Sequence, residues 1–193
     1  MINRITIQAY QVGLVFGKGK LINVLEAGSY WIFGNKQVHI YEMKQSFVAP
    51  IELTILLQNE KLASLLEVIE IADNEIALYY VNGMFKEVLT TGRYAFWKGY
   101  LDNAFTKIDL SKVEITEVVP VALLENIKVR AYTRKYQVLN FEKGLLFVNG
   151  AFVKELAAGN YYFWNNAIPI EVKNVDIRQI GRASCRERVY TIV

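Results

Sequence analysis

Three pairs of glycines, nine residues apart within each pair, set the main constraint on this chain: Gly19 and Gly28, Gly83 and Gly92, Gly150 and Gly159. The same residue types surround each pair. Twelve residues before the second glycine stand Phe16, Tyr80 and Phe147, and seven before it Leu21, Phe85 and Phe152. Leu25, Leu89 and Leu156 precede it by three. Tyr30, Tyr94 and Tyr161 follow it by two, and Phe33, Trp97 and Trp164 by five. Successive copies are offset by 64 and 67 residues. A chain with this pattern is built from repeated supersecondary units, and any fold assigned to it must use the same unit three times.

Each copy reads as a β-meander. A first strand (13–16, 76–81, 145–148) leads to a tight turn. Asn82-Gly83 and Asn149-Gly150 are strong two-residue hairpin signals, because both central residues of that turn need positive φ; the first copy has Lys18-Gly19 instead. A second strand follows (20–25, 84–89, 151–156), and the second glycine supplies a further backbone conformation closed to other residues. A third strand opens with the Tyr and closes with Phe33, Trp97 or Trp164. More turn residues come next (Gly34-Asn35, Lys98-Gly99, Asn165-Asn166), then a last strand at 38–43, 105–110 and 168–177. Aromatic residues make up 13% of the chain and only three residues are Pro, which suits pleated surfaces.

Two segments break this rhythm. Leu62, Leu65, Leu66 and Ile69 fall at helical spacing after Asn59, a good cap, and predict a short helix at about 60–67. Pro120 followed by Val121, Leu124 and Ile127 predicts a second at about 120–128, with Pro in the first turn. The expected class is mainly β (α+β with two short helices): three tandem β-meander units joined by connectors that cover a sheet face. The divisions are 1–58 for the first unit, 59–67 for its connector helix, 68–116 for the second unit, 117–133 for a helix and linker, and 134–179 for the third.

The last fourteen residues do not continue the pattern. From Ile180 the chain reads IGRASCRERVYTIV, with three Arg and the only Cys. Its first ten residues back-translate without strain to ATCGGAAGAGCGTCGTGTAGGGAAAGAGTG, which resembles a common short-read sequencing adapter. Residues 180–193 are therefore read as a non-native tail and set aside. Cys185 is then no candidate nucleophile. Removing Arg182, Arg186, Arg188 and Glu187 from the count takes the formal net charge from +3 to +1. The electrostatic case for a nucleic-acid partner goes with it.

The third copy, EKGLLFVNGAFVKELAAGNYYFWNNAIPIEVKNVDIRQ at 142–179, resembles the opening of the stomatin/prohibitin/flotillin (SPFH, or band 7) domain. The matching features are the charged pair Glu142-Lys143, an apolar strand ending at Phe147, the turn glycine Gly150, Leu156 to Gly159 with Tyr162-Phe163, and Val175-Asp176-Ile177-Arg178. Upstream, YQVGLVF, YWIFGNK, FVAP and GRYAFWKG resemble the N-terminal extension of bacterial slipins of the Bacteroidetes type, so the likeness covers most of residues 4–179. It implies the non-catalytic N-terminal region of a membrane-associated scaffold. The full-length parent would form homo-oligomers at a membrane, with a membrane protease as a partner. Two departures stand out. The hydrophobic hairpin that takes many members into the membrane is missing, and the rest of the SPFH domain and the long oligomerising helix would have to follow Gln179.

No chemistry-bearing constellation emerges from the residues themselves, so neither an enzyme, a cofactor nor a metal is expected. His39 alternates with apolar residues in Val38-His39-Ile40-Tyr41 and reads as an outward strand residue. The repeated positions (Gly19, Gly28, Tyr30, Phe33; Gly83, Gly92, Tyr94, Trp97; Gly150, Gly159, Tyr161, Trp164) read as architecture, since large aromatics provide most of the buried area in small sheets. Trp31, with no aromatic counterpart in the second copy, is the expected exposed exception. It leaves open an alternative function, a β-rich module that binds glycans or peptides through exposed aromatics. Asp109 and Asp176 occupy equivalent strand ends and read as turn-stabilising. Lys128, Arg130, Arg134 and Lys135 form the one native basic cluster, either a surface for anionic lipid or a solvated linker. Met1-Ile2-Asn3-Arg4 runs into an alternating pattern without the regions of a secretory leader. The best candidate for a membrane span, 47–57, is too short to cross a bilayer and contains Glu52. A location in the cytoplasm, or peripheral at the cytoplasmic membrane face, is expected.

Overall fold

A computed structural model describes residues 2–178 of the chain. The tail at 180–193, read above as non-native, lies outside the described residues. The chain divides into two compact units, one ending at Ile108 and the other beginning at Asp109. The first two repeats occupy the first unit and the third repeat the second.

The first repeat holds β1 (Ile2–Ile7), β2 (Gln11–Gly17), β3 (Lys20–Leu25), β4 (Gly28–Phe33) and β5 (Gln37–Glu42). The second holds β6 (Leu66–Ile71), β7 (Glu75–Val81), β8 (Met84–Leu89), β9 (Gly92–Trp97) and β10 (Asn103–Asp109). The third holds β11 (Thr133–Val138), β12 (Glu142–Val148), β13 (Ala151–Leu156), β14 (Gly159–Trp164) and β15 (Ile170–Asp176). The fold is mainly β, as the sequence predicts. Lys18, Asn82 and Asn149 all take φ near +50°, followed by Gly19, Gly83 and Gly150 near +76°, so all three hairpin turns form where expected.

The strand order within each repeat differs from a meander. In a meander each strand pairs with the next. Here only the hairpin strands do so: β2 pairs with β3, while β4 pairs back with β1 and β5 returns to the other edge of β2. The first repeat is thus a two-stranded sheet, β1-β4, and a three-stranded sheet, β3-β2-β5. The arrangement recurs as β6-β9 with β10-β7-β8, and as β11-β14 with β13-β12-β15. Gly28, Gly92 and Gly159, with φ between 148° and 156°, open the strand that changes sheet. An L side chain rarely adopts that backbone, which is why the second glycine of each pair recurs. The register is common to all three: Ile7, Ile71 and Val138 face those glycines, and each β2-type strand carries a bulge at the same place.

Each repeat has its own small core. Ile7, Val15 and Leu25 pack with Ile5, Tyr30, Ile32 and Val38 in the first. Ile69, Ile71, Ala77, Tyr79, Leu89 and Phe96 form the second, where the Tyr79 ring stacks on Phe105 with centroids 5.1 Å apart. Val138, Leu146, Leu156 and Phe163 form the third. Gly13, Ala77 and Gly144 occupy one position in the three copies, and its smallness has a steric cause. A Cβ on Gly13 would lie 2.9 Å from Ile7 Cδ1, and one on Gly144 would lie 2.7 Å from Val138 Cγ2.

Each connector carries two short helices where the sequence suggests one: α1 (Leu53–Leu56) and α2 (Glu60–Leu65), then α3 (Val121–Leu124) and α4 (Ile127–Arg130). Asn59 caps α2 as predicted, its side-chain oxygen accepting from Leu62 N at 3.1 Å. Asn126 does the same for α4 through Lys128 N at 3.0 Å, and Pro120 sits at the N-cap of α3. Leu66 and Ile69, which extend the helical spacing, belong instead to β6. In the first compact unit the connector covers a sheet face. Leu53, Leu56 and Leu62 bury the outer side of β2 and β3 (Val12, Leu14, Phe16 and Val24), together with Leu66 and Trp97. The first two repeats therefore share a core, which offsets how little a lone small sheet can bury.

Candidate functional site

The repeated aromatics come first, because their exposure separates architecture from recognition. Trp97 and Trp164 are 2% and 0% exposed. The rings of Tyr30, Tyr94 and Tyr161 lie over the glycines two residues before them, within van der Waals distance of the position a Cβ would take. Tyr161 also donates its hydroxyl to Ala157 O at 2.9 Å. These side chains are spent on packing. Phe33 is the exception: it occupies the Trp97 position in the first repeat yet is 58% exposed. Trp31, on the same face of β4, is 60% exposed, and the Arg4 guanidinium lies 5.9 Å from its ring centroid. Arg4 and Trp31 are cross-strand partners, as are Lys135 and Tyr162 at the same register in the third repeat. The middle copy has Val68 and Ala95 there.

The basic residues at 128–135 do not make one patch. Arg134 turns its guanidinium onto the 165–168 loop. Nε donates to Asn165 Oδ1 at 2.8 Å, Nη1 to Ile168 O at 3.2 Å and Nη2 to Asn166 O at 2.6 Å. Lys135 bonds Glu125 at 2.6 Å, and Tyr162 donates its hydroxyl to the same carboxylate oxygen. The Lys135 and Tyr162 hydrogen bonds hold the Glu125 carboxyl below its ordinary range. Glu125 in turn raises the Lys135 ammonium and the Tyr162 phenol. Lys128 and Arg130 sit exposed in the last turn of α4. Two of the four cations thus order a loop and a carboxylate. We expect Arg134→Ala to destabilise the second compact unit by roughly 2–3 kcal/mol, since hydrogen bonds from a charged group are lost. Arg134→Lys should recover little of this, because an ammonium cannot reproduce the planar fork. Urea unfolding followed by Trp164 fluorescence, in a background where the other two Trp are Phe, checks both.

The carboxylates at the strand ends behave as the repeat predicts. Asp109 Oδ1 accepts from Ser111 N at 2.8 Å, and Asp176 Oδ1 from Arg178 N at 2.9 Å. Each is a local turn. Asp176 is joined further by the Arg178 side chain, whose guanidinium carbon lies 3.8 Å from the Phe141 ring centroid.

His39 is exposed on β5 as predicted, its ring edge-on to Phe16 with centroids 5.4 Å apart. Sequence reasoning missed its neighbourhood. Phe16 and His39 form part of the wall of a cavity of about 480 Å³ at the tip of the β2–β3 hairpin, with Lys18, Asn35 and Gln37 presenting polar groups. Gly19, Pro50 and Ile51 complete the lining. These residues converge from three separate stretches, so spacing along the chain carries no trace of the cavity. One local signal was available, the Lys in a turn where the other copies have Asn.

Among the described residues no group of His, Cys, Asp and Glu could hold a metal ion, and no helix is long and apolar enough to cross a membrane. In comparisons with known proteins, no family model, no curated protein and no solved structure matches this chain.

Proposed function

We propose that this chain is the non-catalytic N-terminal region of a membrane-associated scaffold of the stomatin/prohibitin/flotillin type, slipin-like in its repeats. The observation that carries this reading is how the recurring residues are used. The glycines set turns and sheet crossings, the Tyr rings cover glycines, and Trp97 and Trp164 are buried. A surface evolved for chemistry would spend such residues on a shared cleft. The Val175-Asp176-Ile177-Arg178 element also supports it, because its Asp and Arg close a strand end as a structural knot. Homo-oligomerisation, membrane association and partnership with a membrane protease belong to the full-length parent. The test is to express the native reading frame, continued past codon 179, and to fractionate the cells. Recovery in the membrane fraction as a large assembly is expected; a uniformly soluble monomer would overturn the proposal.

A second reading has its own support. Trp31 and Phe33 are neighbours on one exposed face of β4 with Arg4 beside them. Such a face suits a glycan ring or an aromatic peptide side chain. Glycan and peptide arrays probed with the wild-type chain and with Trp31→Ala would separate the readings. Loss of a specific signal in a folded variant favours the module.

A further inference from the structure

In a chain built three times from one unit, residues the unit does not require are the ones free to serve another purpose. The tip of the first hairpin is one place where the first repeat departs from its copies. Lys18 holds a left-handed backbone, φ +52°, at the position that Asn82 and Asn149 fill in the other two hairpins. Asn tolerates that conformation far better than a long side chain does, and an observed departure of this kind points toward function. Lys20 stands where the other copies have Met84 and Ala151. Lys36 approaches the same hairpin, its Cγ 3.9 Å from the position a Cβ on Gly17 would take. Among the described residues none of these three lysines is in an ion pair. Lys18 lines the 480 Å³ cavity described above, and Lys20 lines a second, of about 560 Å³, which shares Gly19 and Ile51 with the first. No Asp or Glu lines either one. The third repeat is built differently here: Glu171 stands opposite Phe147 where the first has Gln37 opposite Phe16, and Lys173 both pairs with Glu171 and lies over the Phe147 ring.

We infer that the cavity at the β2–β3 hairpin tip binds a small organic anion carrying an aromatic ring. The ring lies against the His39 and Phe16 edge-on pair and the Pro50–Ile51 wall. Asn35 and Gln37 offer amide donors and acceptors to its polar edge. The anionic group meets Lys18 at the mouth. The volume falls within the usual range for small-molecule sites. A carboxylate and a phosphate ester share the required charge, so both serve as probes.

The test is titration of the isotopically labelled full chain, followed by backbone amide NMR, with adenosine monophosphate and with benzoate. Adenosine and inorganic phosphate are the controls, each carrying half of the required chemistry. At least one of the two aromatic anions is expected to shift the amides of Gly19, Asn35 and His39 saturably, and each control to bind at least tenfold more weakly. Which anion binds distinguishes a phosphate ester from a carboxylate. Lys18→Asn restores the turn residue of the other repeats. It should fold with an undiminished melting temperature and bind at least tenfold more weakly, while Lys18→Arg keeps the affinity. His39→Ala, at an exposed side chain, gives a second check by removing the ring contact. The inference is overturned if neither aromatic anion shifts those amides saturably, or if Lys18→Asn and His39→Ala both bind as tightly as the wild type.

Discussion

Replacing Trp97 by Ala should destabilise the first compact unit by about 3–5 kcal/mol, the range for removing a large aromatic from a packed core. Trp31→Ala, 66 residues earlier in the preceding copy, should change stability by no more than about 0.5 kcal/mol. The contrast follows from where the repeat places each ring. Trp97 ends β9 and lies in the core shared by the first two repeats, together with Val12, Leu14, Phe16, Leu56 and Leu62. Phe47 meets it edge-on at 5.2 Å between centroids, and Tyr41 lies at 6.1 Å. Phe47 is itself fixed by a backbone hydrogen bond to Ala95 O at 2.9 Å. Loss of the indole therefore empties a site whose neighbours are pinned, and pinned neighbours collapse little into a cavity. Urea denaturation of the two variants, read by circular dichroism, gives both numbers. Equal and small effects would mean that the recurrent aromatics do not hold the architecture, and the case for a structural repeat would fail with them.

Much of this fold is legible in the chain, and what is hidden is of one kind. Turn chemistry reads through directly. Asn-Gly demands positive φ at both residues and Asn82-Gly83 and Asn149-Gly150 adopt it, while Asn59 caps its helix through the oxygen that capping requires. Side-chain alternation likewise locates strands. Pairing partners are another matter. Alternation states which face of a strand is apolar and says nothing of which strand lies beside it. The return of β4 to β1, in place of β3, therefore leaves only an indirect mark in the recurring second glycine. The Leu62–Ile69 stretch fails for a related reason. Apolar residues at 62, 65, 66 and 69 fit helical spacing, yet Leu66 and Ile69 are, with Ile71, the buried residues of β6, and they pair with Trp97 and Tyr94. A helix running directly into a strand shows one apolar pattern across a boundary that only tertiary pairing places.

The candidate sites divide along the same line. That Trp31 is exposed and His39 points outward follows from strand alternation and from the absence of a counterpart in the second copy. The fate of Arg134 does not, because its acceptors lie more than thirty residues away on the 165–168 loop. A basic cluster in sequence is a list of charges; whether it is a basic surface depends on which of them the fold has already engaged. Here Arg134 and Lys135 are engaged within the fold, so the cluster is not a patch of four free charges.

Gly144→Ala should cost about 1–3 kcal/mol, the usual range for overpacking a filled core, and Gly13→Ala distinctly less. The two glycines occupy one position in the repeat, and both have backbones open to any residue, so the difference is steric alone. At Gly13 the obstacle is Ile7 Cδ1, 2.9 Å from the new methyl, the free end of a side chain that can rotate aside. At Gly144 three neighbours close in: Val138 Cγ2 at 2.7 Å, Leu156 Cβ at 3.2 Å and Val172 Cγ1 at 3.3 Å. Val is stiff at χ1, and a Cβ moves only with its backbone, so the sheets themselves must part. Val138 and Leu156 are core members of the third repeat, and their displacement loosens the β11-β14 sheet from β12. The second copy supplies the reference: Ala77 is accommodated there fully buried, which shows that the architecture admits a methyl when the residues around it are matched to one. Gly144→Ala combined with Val138→Ala should therefore recover part of the loss, and the deficit of the double variant should be smaller than the sum of the two single ones. A double-mutant cycle by urea denaturation measures this directly. Additive losses would mean that the Val138 methyl is not the obstacle and that the small residue at this position of the repeat has some other cause.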